Sequence, residues 1–208
     1  MAAAVVSVTT IVAGYFVLGR TFDDSVSADA LAWWSVVLAG VWATGGLALV
    51  LLGGVSVPAH TASTRRSLAV AFGGGALVAA AFAIGSLILL QIPVLGDAVR
   101  EAVSTANRTS VVAVVSVALI AGAAEECFFR IGVPRWVTSK WRLVVPTVLY
   151  AAVTSGSGNV SLVVAAAVLG ACCSLVYETT GRWYAPIVVH AMWTLTMVAG
   201  LPAVVGAE

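Results

Sequence analysis

The chain has 208 residues, of which 61% are hydrophobic and 9% charged, and its formal net charge is +1. A mean hydropathy of +1.08 leaves too little polar side chain to clothe a soluble domain, so the composition indicates a polytopic membrane protein. Nucleic-acid binding is excluded, because there is neither a basic field nor a set of aromatics in a basic groove.

Apolar runs of about 20 residues mark the spans, since a hydrocarbon core of ~30 Å needs that many. The first is expected at Ala2–Leu18. It reads as a retained span rather than a signal peptide, because no basic segment precedes it and no small-residue cleavage site is offered before Arg20, Asp23 and Asp24. A short acidic loop runs through Asp29, and a second span is expected at Leu31–Leu52, with Trp33 and Trp34 at its start where aromatic belts form. The Gly53–Ser67 connection carries Pro58, His60, Arg65 and Arg66, and in that polar setting His60 reads as a solvated surface histidine. A third span, Leu68–Leu90, is closed by Pro93.

Val94–Arg108 contains Asp97, Arg100 and Glu101 beside a modest apolar face of Val94, Leu95, Ala98 and Val103, the pattern of an interfacial helix. The fourth span, Ser110–Phe129, carries Glu125 and Glu126 near its end and leads into Arg130, Arg135, Lys140 and Arg142. A fifth helix is expected at Leu143–Thr154, broken by the Ser155–Asn159 turn. A sixth covers Val160–Tyr177, and a seventh Tyr184–Val198 tolerates Pro186 in its first turn. The expected fold is all-α, one membrane domain over residues 1–208 with about seven transmembrane helices.

Lysines and arginines orient the array. An N-terminus in the cytoplasm puts Arg65, Arg66, Arg130, Arg135, Lys140, Arg142 and Arg182 inside and leaves Arg20, Arg100 and Arg108 outside. The expected location is therefore the plasma (inner) membrane, with the two glutamates near the cytoplasmic end of their helix.

Glu125 and Glu126 are the most informative residues. An ionisable group at membrane depth costs at least a few kcal/mol, so it faces protein or a wet cavity and marks function. Glu126 and Arg130 are spaced i, i+4 with the acid first, which suits an ion pair on one helix face. Glu125 points about 100° away, free to meet a water, a substrate or a neighbouring helix. Two carboxylates in one low-dielectric pocket are the setting in which one of them serves as a general base. The alternative is a structural cluster that fastens helices together. His190 lies in an apolar run and needs a polar partner; Thr194, one turn on, shares its face, so the pair should look toward the carboxylates. Cys127, Cys172 and Cys173 form no CxxC spacing and read as small buried hydrophobes. The small residues Gly73, Gly74 and Gly75, and Gly170 with Ala171, permit close helix packing.

Glu125-Glu126-Cys-Phe-Phe-Arg130, then Tyr150-Ala-Ala-Val-Thr154, then Thr180-Gly-Arg-Trp-Tyr-Ala-Pro-Ile-Val-Val-His190-Ala-Met-Trp-Thr194 resembles the CPBP (Abi) family. That family includes type II CAAX prenyl proteases and bacteriocin-processing and self-immunity membrane proteins. The resemblance covers a core at residues 110–199, while the helices of residues 1–93 match only in being hydrophobic. It implies an EExxxR motif at Glu125, Glu126 and Arg130, with His190 opening the last motif. The second motif, FxxxH, has Tyr150 for its aromatic and Thr154 in place of its histidine, and the last motif has Thr194 where the family has Asn or Asp.

The resemblance implies a glutamate-activated water and a histidine donor to the oxyanion. Thr154 cannot accept a proton as an imidazole does, though its hydroxyl can bond the water, and Thr194 offers one hydrogen bond in place of the amide. No cofactor is expected, since a three-ligand metal set would have to include both glutamates. The expected partners are the lipid bilayer and either a peptide or protein substrate or a membrane complex. Two functions follow: an intramembrane endopeptidase acting at the cytoplasmic side, or a catalytically degenerate relative that works as a scaffold, immunity or assembly subunit. A small transporter with proton-carrying carboxylates is a third, weakened by the lack of an obvious inverted repeat.

Overall fold

The computed structural model of the chain describes residues 1–23, 26–54, 62–106 and 110–202. His60 and Arg108 lie outside them. Among the described residues eight α-helices follow one another: α1 (Ala2–Thr21), α2 (Ala28–Leu51), α3 (Thr64–Leu89), α4 (Pro93–Ala106), α5 (Val111–Glu126), α6 (Val144–Thr154), α7 (Val160–Thr180) and α8 (Tyr184–Thr194). No strand occurs among the described residues. This is what lipid demands, because only a helix satisfies its own backbone without water.

Among the described residues five helices are long and apolar enough to cross a membrane; α6 is a shorter apolar segment before the last of them and α8 another after it. The chain is a multi-pass helical membrane bundle. α5 does not end at Phe129 as expected. The helix widens into a π-helical stretch, Cys127–Gly132, and closes with a tight turn at Val133–Trp136, so the span is Val111–Trp136. Arg130 had looked like the start of a basic loop. It is instead 1% exposed inside the bundle, where its charge is matched by Glu126.

Packing follows the small residues. α1 lies along α2, α2 along α5, α3 along α8, and α6 along α7. Trp42 of α2 fills the centre of one core against Phe128 and Phe129, and Gly14 of α1 leaves room for it: a Cβ there would stand 2.1 Å from the indole. A second core joins α3, α7 and α8 through Ala71, Val78, Leu169, Val176 and Val189.

α4 is the amphipathic helix that its sequence suggested, except that Val94, expected on its apolar face, is exposed. It buries Val99 and Val103 beside Leu201 and exposes Asp97, Arg100 and Glu101. One residue ties it to the bundle: the Asn159 amide nitrogen donates to Ala98 O at 2.8 Å and to the Glu101 carboxylate at 3.0 Å. The same side chain caps α7, its oxygen accepting from the amides of Ser161 and Leu162. Asn159→Ala removes both functions. It should cost about 1–2 kcal/mol for the cap alone and more for the lost tie, read as a lower unfolding midpoint in detergent.

Candidate active site

Glu125 and Glu126 occupy the last turn of α5, immediately before the π-helical stretch. A second π-helical stretch, Leu195–Gly200, follows Thr194 at the end of α8. Such turns are rare and recur at functional sites, where the extra residue re-aims side chains. Because the α5 span continues to Trp136, the carboxylates sit near its middle rather than near its C-terminal end.

The neighbouring glutamates have different surroundings. Glu126 is fully buried, with one oxygen 3.3 Å from Arg130 Nε and the other 2.8 Å from His190 Nδ1. The expected i, i+4 pair is formed, but it also takes in the histidine. Arg130 finds no hydrogen-bond partner of good geometry for its three guanidinium nitrogens among the described residues. Its cation is held by the charge of Glu126 and by aromatic faces, with Cζ 4.9 Å from the Tyr150 ring centre and 5.7 Å from that of Phe129.

Glu125 faces the other way, its side chain 13% exposed onto a cavity of about 810 Å³. The Tyr150 hydroxyl donates to its Oε2 at 2.6 Å. His190 Nε2 is 3.9 Å from that same oxygen, beyond hydrogen-bond reach, so the two groups flank the cavity floor rather than satisfy each other. Thr154 and Thr194 also line the cavity. Thr154 does less than expected, because its hydroxyl donates back to Tyr150 O at 2.8 Å. Thr194 is buried one turn from His190. Among the described residues, no group of three histidines, cysteines or acids is arranged to hold a metal ion.

Two glycines make this geometry possible: Gly122, which the sequence did not single out, and Gly170, which it marked only as a helix-packing residue. A Cβ at Gly122 would lie 2.9 Å from both Cδ2 and Nε2 of His190, and one at Gly170 would lie 2.9 Å from Arg130 Nη2. Helical spacing gives no sign of such a contact, since each glycine is needed by a side chain from another helix.

The cavity occupies the half of the bundle away from the basic loops. Its walls come from the C-terminal ends of α1, α3, α6 and α8, the N-terminal halves of α2 and α7, the length of α5, and the apolar face of α4. Arg65, Arg66, Arg135, Lys140, Arg142 and Arg182 belong to the opposite end, where Arg182 Nε donates to Ala62 O. The sequence had placed pocket and basic loops on the same side, and the packed helices separate them.

Residues 107–196 match the family model described as type II CAAX prenyl endopeptidase Rce1-like. No curated protein and no solved structure matches the chain. The matched stretch is under half of the chain, but it includes Glu125, Glu126, Arg130, Tyr150, Thr154, His190 and Thr194. Over residues 107–196, which hold the whole constellation, the chain is similar to the type II CAAX prenyl endopeptidase Rce1-like family.

Proposed function

We propose that the protein is an intramembrane endopeptidase in which Glu125 activates water at the floor of the cavity. The observation that carries this reading is the division between adjacent carboxylates: Glu126 is closed off behind an arginine and a histidine, and Glu125 faces the cavity. Glu125 takes a proton from water as the water oxygen attacks the peptide carbonyl carbon. Thr194 and His190 Nε2–H donate to the resulting oxyanion. The C–N bond then breaks, and Glu125 returns the proton to the leaving nitrogen, giving an acid and an amine. His190 donates from Nε2 while Nδ1–H serves Glu126 when the ring is an imidazolium. That charge state balances two carboxylates against one guanidinium and one imidazolium.

A scaffold, immunity or assembly subunit accounts for the buried Glu126, Arg130 and His190, but it gives Glu125 on the cavity wall no task beyond accepting the Tyr150 hydroxyl. Cleavage decides between the two. The protein reconstituted in liposomes should hydrolyse members of a peptide library, and Glu125→Gln should not. No cleavage by the parent would leave the scaffold reading standing, and cleavage at the parental rate by Glu125→Gln would remove Glu125 from the chemistry. Gly122→Ala should push the imidazole off its seat and slow cleavage at least tenfold, with a stability change of about 1–3 kcal/mol, measured by turnover beside thermal unfolding.

The orientation belongs to the same proposal. With the basic end in the cytoplasm of the plasma membrane, the N-terminus is cytoplasmic and the cavity lies in the extracytoplasmic half. The substrate is then a peptide reached from that side, which replaces the cytoplasmic-side substrate expected from the sequence. On intact cells, an impermeant maleimide should label a cysteine at Arg100 and spare one at Lys140. The reverse pattern would return the cavity to the cytoplasmic half.

A further inference from the structure

We propose that Tyr150 is the positioning residue of the catalytic carboxylate; the inference rests on the endopeptidase reading. Residues 150 and 154 lie one turn apart on α6, and both line the cavity. Only Tyr150 meets Glu125, at 2.6 Å, while the Thr154 hydroxyl is turned to the backbone of its own helix. A phenol 7% exposed in an apolar bundle must place its O–H on an acceptor, and that acceptor is Oε2 of Glu125.

The ring is held from several directions. Phe129 packs at 5.0 Å between centres and His190 at 6.4 Å, and the Arg130 guanidinium stands over its face. Gly170 leaves the space in which ring and guanidinium meet, a Cβ there falling 3.2 Å from Tyr150 Cδ1. A donor so constrained fixes the carboxylate rotamer, and with Oε2 occupied, Oε1 is the oxygen left to take the proton from water. The phenol also connects the halves of the site: its face meets the cation that neutralises Glu126, and its hydroxyl meets the carboxylate that does the chemistry.

The test compares Tyr150→Phe, which deletes one oxygen, with the double variant Tyr150→Phe/Thr154→His, which sets an imidazole on the same face one turn along. In the reconstituted protein, Tyr150→Phe should lower kcat about 10- to 100-fold with KM within about twofold, the loss of a donor to a charged catalytic group. The double variant should regain at least tenfold of that loss. A readout independent of turnover is modification of Glu125 by a hydrophobic carbodiimide, located by mass spectrometry, with the buried Glu126 as internal control. Uncovering Oε2 should speed modification of Glu125 several-fold in Tyr150→Phe. Parental kcat, or an unchanged modification rate at Glu125, overturns the proposal. If the parent cleaves no peptide, the endopeptidase reading fails, and the carbodiimide rate alone then decides whether Tyr150 positions the carboxylate.

Discussion

Glu125→Gln is expected to lower kcat for peptide cleavage by about 10²- to 10⁴-fold, the usual contribution of a positioned general base. Glutamine keeps the size of the side chain and an oxygen for the Tyr150 hydroxyl, so the cavity floor should keep its shape. It cannot accept the proton that water must lose. The variant should also unfold at the parental temperature or above it, since a neutral amide costs less to hold in a low dielectric than a carboxylate. Loss of turnover with stability kept is the signature of a chemical role. Loss of both, measured side by side in the same detergent, would mark Glu125 as structural. Glu126→Gln should differ, because Glu126 is the counter-charge of a buried arginine and its loss should lower the unfolding midpoint.

Arg130→Met is expected to cost about 3–5 kcal/mol of stability, because it strips a fully buried carboxylate of its fixed counter-ion. The replacement also ends the aromatic contact with Tyr150 and loosens the ring that reaches Glu125. Glu126→Met combined with Arg130→Met should recover most of the stability, since an apolar pair of similar volume often replaces a buried ion pair without loss. Turnover should stay absent in that double variant, as His190 Nδ1 loses its acceptor. Equilibrium unfolding in mixed micelles gives both values. A single variant within about 1 kcal/mol of the parent, the worth of an exposed ion pair, would contradict the buried pair.

Much of this was legible in the chain. Hydropathy located the spans because lipid leaves the backbone no alternative to helix, and the polar residues of 94–108 separated α4 from them for the same reason. Glu125, Glu126, Arg130 and His190 stood out because charge is costly in apolar surroundings, so four groups on two helices had to find one another. The end of the fourth span was misplaced, because an arginine in sequence looks the same whether it leaves the membrane or is neutralised within it. The contacts of His190 and Tyr150 were hidden for another reason. The ring bonds Glu126 through Nδ1 and leaves Nε2 3.9 Å from Glu125, and the phenol reaches Glu125 across 25 positions of chain. Such distances depend on helix rotation, which periodicity does not record. The side of the cavity was hidden likewise, since it depends on which ends of the helices splay apart.

The shortness of α6 has a consequence for the surrounding lipid. Its 11 residues rise about 16 Å, roughly half of a hydrocarbon layer of ~30 Å. The serine and glycine turn after it is pressed against the backbone of α1 at Tyr15, about a turn and a half before that helix ends. Acyl chains beside α6 must therefore compress, and hydrated headgroups dip toward the protein on that flank. Water reaching Glu125 then has a shorter path than the length of the neighbouring helices implies, and a thicker bilayer would lengthen it.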